Sequence, residues 1–398
     1  MPDACLYFQV HQPSRLLPSG PADDRDLSRE DHPMNAAILD RVAERCYLPA
    51  NRMFQRMIAK HGGRFRMALS ISGTLIDQLK QYRPDVLASF QELVAGGGVE
   101  LLAETYYHSL AFVYSNKEFE RQVDLHLNTL EDLFHIRPRV FSNTELIYND
   151  AIAAKAETMG FDGVVAEGVE WNLSGNSPNF LYRAPRTARV KTLPRNLQLS
   201  DDLGFRFAQP EWPDYPLTPR KFARWLGESP GDIVNLFMGY ETIGEHQSAE
   251  SGIFDFWENL PEAVENAGLQ WVTPTEAVEL YRASQEYSCK HLTSWTDGEH
   301  DLSAWTANSM QHNAIERLHA LEDKIHAAND PDLTHIWGKM QTSNHLHWMS
   351  TKHGADGSGH SPLIPYPSPR EAHQRFIAVL DGLESKLDRT INSTPRVA

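Results

Sequence analysis

DIVNLFM, residues 232–238, is an apolar run of strand length that empties directly into the polar string Gly239-Tyr240-Glu241-Thr242-Ile243-Gly244-Glu245-His246-Gln247. Runs of the same kind stand upstream: CLYFQV (5–10), RFRMALSIS (64–72), VELLAE (99–104), RVFSN (139–143), DGVVAE (162–167) and ARVKTL (188–193). A short one, QWVTP (270–274), follows. Helical patterns separate them. Pro84 and Asp85 open one, with Val86, Leu87, Phe90, Leu93 and Val94 at helical spacing and a stop at Gly96–Gly98. Asn149 or Asp150 caps another, AIAAKAETMG, which ends at Gly160. Strand–helix alternation of this kind predicts an α/β fold with a parallel sheet and helical crossovers. Seven or so such units predict a closed or nearly closed barrel.

After about residue 285 the pattern changes. Ile315, Leu318, Leu321 and Ile325 mark one helix, and Phe376, Val379, Leu380, Leu383 and Leu387 another, with a helical region over 333–349 between them. HGADGSGHSPLIPYPSP (353–369) reads as a loop. The predicted organisation is a barrel over 1–285 and a helical domain over 286–398 packed on it.

The 398 residues carry a net charge of −16. That balance argues against wrapping nucleic acid or docking on anionic lipid, and a neutral sugar polymer is compatible with it. Three cysteines without a CxxC spacing form neither a disulfide framework nor a zinc knuckle. The N-terminus lacks a basic segment followed by an apolar run, and no stretch reaches about 18 apolar residues. A cytoplasmic location without a membrane span is the expectation.

In parallel α/β barrels the chemistry sits at the C-terminal ends of the strands. Here those ends carry His11-Gln12, Glu104 through His108, Asn143-Thr144-Glu145, Glu167, and Glu241 through His246. Carboxylates and histidines therefore gather at one rim. Glycoside cleavage fits such a rim, because it needs two carboxyl groups about the scissile bond, about 5–5.5 Å apart when configuration is retained. Glu145 is the nucleophile candidate, placed beside Asn143 on one strand face. The alternative for Glu145 is a capping or ion-paired glutamate.

YFQVHQPSRL (7–16), VELLAETYYHSL (99–110), FSNTELIYND (141–150) and MGYETIGEHQ (238–247) resemble the ordered motifs of glycoside hydrolase family 57, nearest its α-amylase and α-amylase-like branch. The resemblance continues through CYLPANRM (46–53), SISGT (70–74), SPNFLYR (177–183), RNLQLSDDLGFRF (195–207), SWTDGEHDLSAW (294–305) and QTSNH (341–345). It implies an incomplete seven-stranded parallel β/α barrel followed by a C-terminal helical domain. It further implies retaining action on α-1,4-glucan or malto-oligosaccharide with no cofactor and no catalytic metal. Glu145 matches the nucleophile. His11, Glu104, His108, Asn143, Glu241, Glu245, His246, Trp295, Trp305, Asn344 and His345 are the substrate-contact candidates, with Trp305 equally placed to be core.

Two positions depart from the family pattern. Its Met-Asp-Tyr-Glu becomes Met238-Gly239-Tyr240-Glu241, so the general-acid position holds a residue with no proton to give. Loss of a general acid costs about 10²–10⁴-fold in rate, most with poor leaving groups. Asn344 stands where Asp is common, which keeps hydrogen bonding and loses charge. Two functions follow: an α-glucan hydrolase weakened at its acid, or an inactive α-amylase-like protein that binds glucan or a protein partner. A metal-dependent deacetylase or mannosidase on a related barrel is a third reading, and His345 and His347, two apart, face different ways on a helix. As a strand neighbour, Glu241 is expected on Gly239's face about 6–7 Å further along.

Overall fold

A computed structural model describes residues 1–18, 20, 26–283, 285–352 and 364–393. Each predicted apolar run overlaps a strand. These are β1 (Asp3–Val10), β2 (Met67–Ile71), β3 (Val99–Leu101), β4 (Val140–Ser142), β5 (Gly163–Glu167), β7 (Lys191–Arg195), β8 (Ile233–Gly239) and β9 (Trp271–Val272). Two further short strands, β6 (Tyr182–Arg183) and β10 (Gln285–Glu286), have no counterpart among the predicted runs. Two residues are too few to show a period.

The strands form two sheets. One runs β3-β2-β1-β8 with β9 also on β1, and the other runs β10-β6-β7-β5-β4. Every pair is parallel except β6 with β7. A parallel bridge from Ala103 to Phe141 joins the sheets on the β3–β4 side. On the other side β7 and β8 are linked by Asn196 N–H to Asn235 O at 2.8 Å and Asn235 Nδ2 to Pro194 O at 2.8 Å. The result is a curled, mainly parallel α/β structure clad in helices.

β1 shows how the curl is filled. Cys5 and Tyr7 point into an interior cluster with Ala68, Val140, Val165, Leu193, Phe237 and Val272, which come from six other strands. Leu6, Phe8 and Val10 point the other way, into the layer of helices. Phe8 packs its ring 5.7 Å from Phe54, 5.5 Å from Trp257 and 5.4 Å from Tyr240. Burial on both faces is why β1 reads as a continuous apolar run. The Tyr7 hydroxyl crosses the interior to Ser70 Oγ (2.8 Å) and Ser142 Oγ (2.7 Å), so the buried polar atom is satisfied while it ties β1, β2 and β4.

The helix Pro84–Ala95 begins and ends where predicted. Asn149, rather than Asp150, caps Asp150–Thr158, its side chain accepting from Ile152 N–H. The single helix expected through Ile315–Ile325 is two, Ser309–Ala320 and Glu322–Ala328, and both lie against the long helix Pro369–Ser393. The region 333–349 likewise divides, into Pro331–Met340 and Ser343–His347. Phe376, Val379, Leu380, Leu383 and Leu387 are all buried, in one cluster with Phe141 and Val164 of the second sheet. Most of the loop read over 353–369 lies outside the described residues. Among the described residues no helix is long and apolar enough to cross a membrane, and the three cysteines are buried and unpaired.

Candidate active site

β4 stops at Ser142, and the chain turns sharply through Thr144–Leu146. Glu145 (φ 54°) and Leu146 (φ 49°) both adopt left-handed backbone, at a cost of about 1–3 kcal/mol each for residues that carry a Cβ. The turn is held from several sides. Asn143 Nδ2 donates to Ile147 O at 3.0 Å, Ser294 Oγ to Glu145 O at 3.0 Å, and Trp295 N–H to Glu145 O at 3.2 Å. Asn143 and Glu145 therefore do not share a strand face as expected: the strand has ended before either alternates. Asn143 is buried and braces the turn.

The strained turn presents one carboxylate. His108 Nε2 lies 3.2 Å from Glu145 Oε1, while Trp295 Nε1 (2.6 Å) and Thr296 Oγ1 (3.2 Å) donate to Oε2. Burial by itself would raise this acid, but the bonds and charge of His108, then Trp295, outweigh it and hold the carboxyl down to about 2. The side chain keeps 19% of its surface exposed, against none for Glu104. Glu145 is thus an ionised, oriented and reachable carboxylate.

His108 also has left-handed backbone, φ 53°. Its Nδ1 lies 2.8 Å from Glu104 Oε2, so the imidazole sits between two carboxylates. Burial would lower it; Glu104 and Glu145 together lift it to about 9, so it is charged at neutral pH. The His11 ring stacks on it with centroids 4.1 Å apart. Burial and the charge of His108 push His11 well down, and His11 remains neutral. It is fixed by Ser72 Oγ at Nδ1 (2.7 Å) and Asn344 Oδ1 at Nε2 (2.8 Å). With Oδ1 as acceptor the assigned tautomer carries its proton on Nε2. Asn344 thus joins the C-terminal helices to the end of β1.

Gly239 ends β8 in register with Gln9, whose Nε2 is 3.4 Å from His108 Nδ1. Its φ of −70° and ψ of 141° are ordinary extended backbone. A Cβ added there would meet only Glu241 Oε2 within 4 Å, at 3.7 Å. Neither conformation nor packing calls for glycine. Glu241 is not further along a strand on Gly239's face, because Tyr240–Thr242 forms a 3-10 turn that folds its carboxyl back beside Gly239. The Tyr47 hydroxyl donates to Glu241 Oε1 at 2.5 Å. Burial outweighs that bond and raises the carboxyl to about 7.

Residues 5–290 match the profile of Glycosyl hydrolase family 57. The chain belongs to that family. It is 36% identical over 391 residues to a protein described as "Putative alpha-amylase" from Methanocaldococcus jannaschii, spanning 95% of this chain and 83% of that one. The fold is similar to a family 57 branching enzyme from Pyrococcus horikoshii (TM-score 0.67, 13% identity, 100% of this chain and 98% of that one). It is also similar to a 4-alpha-glucanotransferase from Thermococcus litoralis (TM-score 0.61, 13% identity), of which 88% of this chain spans 59%.

Within this family 57 chain, then, the structure gathers His11, Glu104, His108, Glu145, Trp295 and Asn344, with Gly239 and Glu241 adjoining. Other expected contacts are held differently. Trp305 is 1% exposed inside the hydrophobic core. His345 is 2% exposed, with Trp348 and Phe376 rings at 5.4 and 5.7 Å; burial takes it down to about 3, and it is a core residue rather than a sugar contact. Glu245 is held by Arg41 at 2.9 Å, and His246 is exposed with its amide on Glu241 O. Glu167 is buried against Arg195 (3.1 Å), whose guanidinium lies 5.8 Å from the Trp295 ring. Among the described residues no three His, Cys, Asp or Glu converge as a metal set. Gln9, Tyr47, Ser72 and Thr296 also belong to the site. All four fall inside the quoted motifs, but a hydroxyl or an amide between charged neighbours carries no signal of its own in a single sequence.

Proposed function

We propose that this chain acts on α-1,4-glucans as a retaining hydrolase of the α-amylase type, with Glu145 as nucleophile. The observation that carries it is the Glu145 carboxylate, kept ionised and partly exposed by His108, Trp295 and Thr296. A carboxylate oriented by fixed donors attacks the anomeric carbon from one direction. The departing sugar oxygen needs a proton, and by the family pattern Gly239 occupies the place of the residue that gives it. The two curled sheets are read as an incomplete seven-stranded barrel made of β1–β5, β7 and β8. In that reading 286–398 forms the helical domain, which contributes Trp295, Thr296 and Asn344 to the glucan site.

A second reading, an inactive glucan-binding protein, is favoured by one observation: residue 239, which the family pattern aligns with the acid, is glycine although nothing around it requires glycine. Turnover of an aryl α-malto-oligosaccharide, whose leaving group barely needs protonation, separates the two. Cleavage that Glu145→Gln abolishes supports the hydrolase. Glucan binding by calorimetry with no cleavage of the aryl substrate supports the binding protein.

A further inference from the structure

We infer that Glu241 takes over as proton donor, serving as the general acid and base that Gly239 cannot be. This rests on Glu145 being the nucleophile as proposed above. Glu241 Oε2 lies 3.7 Å from where a Gly239 Cβ would stand. An aspartate there would carry its carboxyl oxygens about 2.4 Å beyond that Cβ by ordinary bond lengths, so the Glu241 carboxyl borders the volume an Asp carboxyl would fill. A relay of contacts runs from that volume to the nucleophile. Gly239 is in register with Gln9, Gln9 reaches His108, and His108 bonds Glu145.

The neighbours leave Glu241 as the group able to deliver a proton near neutrality. Its carboxyl faces Tyr47 and Cys46 on one side and His11 and Gln12 on another, with Tyr240 beside it in the chain. Burial raises Tyr47, Tyr240 and Cys46 well above their ordinary values, so they keep their protons. His11 is neutral, and both ring nitrogens of His108 are engaged by Glu104 and Glu145. Glu245 is paired with Arg41. Burial holds Glu241 near 7, where a carboxyl both gives and regains a proton.

The step balances as follows. Glu145 forms a bond to the anomeric carbon while the glycosidic C–O bond breaks and its oxygen takes the Glu241 proton. Water then attacks the same carbon, its proton returns to Glu241, and the bond to Glu145 breaks.

The test compares wild type, Glu241→Gln, Glu241→Asp and Glu241→Gln/Gly239→Asp on maltohexaose and on a dinitrophenyl α-malto-oligosaccharide, with thermal melts as fold controls. The expected result is a wild-type rate on maltohexaose that falls as pH rises through about 7. Glu241→Gln should lose about 10²–10³-fold in kcat/KM on maltohexaose and far less in kcat/KM on the dinitrophenyl substrate, whose first step needs no acid, with the alkaline fall abolished. Glu241→Asp should be intermediate, and the double variant should regain maltohexaose activity. Equal losses in kcat/KM on both substrates, or no loss on either, overturn Glu241 as acid and leave a binding or structural role. Turnover only in proteins carrying Gly239→Asp overturns it while leaving Glu145 standing. No turnover by any of them overturns both.

Discussion

Trp295 Nε1 donates to Oε2 of Glu145 over 2.6 Å, joining residues 150 positions apart across the sheet and the segment that follows it. With His108 on the other oxygen, each carboxylate oxygen has a fixed donor, and Oε1, with one, keeps a lone pair open. This turns a glutamate on a strained turn into an ionised group of fixed aim.

Glu145→Gln is expected to retain the fold and lose at least about 10³-fold in turnover of any glucoside, because a carboxamide neither attacks nor carries charge. Glucan binding should persist. Turnover at the wild-type rate on the aryl substrate would remove Glu145 from the nucleophile role.

Trp295→Phe removes a charge-assisted donor worth about 1.5–3 kcal/mol. The Glu145 carboxyl, now near 2, should titrate about 1–2 units higher. The acid limb of the pH–rate profile should move up with it, and an unmoved limb would show that this bond does not hold the carboxylate ionised.

Stability should follow the same pair. Glu145 is depressed from 4.5 to about 2, so its contribution is present above 4.5 and lost as pH falls through 2. His108 is raised from 6.5 to about 9, so its contribution is full below 6.5 and lost as pH rises through 9. The attraction enters both and counts once. Denaturant melts of His108→Gln should show the largest loss relative to wild type between pH 4.5 and 6.5, shrinking as pH rises towards 9 and as it falls towards 2.

Glu241 runs the other way from Glu145. Its value rises from 4.5 to about 7, so the folded state is favoured below 4.5 and penalised as pH rises through 7. Glu241→Gln removes a buried charge and should stabilise the protein at pH 8.5 by up to about 3 kcal/mol, with little change at pH 4. Equal melting shifts at both pH values would contradict a raised Glu241.

Trp305→Ala should cost about 3–5 kcal/mol, the usual price of emptying an aromatic site in a core, whereas Trp295→Ala should cost much less stability and more activity. Paired chemical melts and aryl-substrate assays on the two variants check this.

Eight strands and the mainly parallel sheet were legible because those strands fall in apolar runs, and β1, buried on both faces, reads as CLYFQV without interruption. Ordered motifs carried the family, and they singled out Glu145 as the nucleophile candidate. What the chain order could not supply was geometry past the strand ends. Periodicity puts Asn143 and Glu145 on one face and sends Glu241 away from Gly239, yet strand alternation ends with the ladder. Beyond it, local turns re-aim both side chains: two left-handed residues at 145–146 and a 3-10 turn at 240–242. Composition marks Trp295 and Trp305 alike, and burial alone separates the donor from the core ring. The amino-acid sequence by itself determined which groups are present, including the glycine at 239. Tertiary structure decided their charge, because the value of a buried acid depends on partners such as His108 and Tyr47 that lie 37 and 194 residues away in the chain.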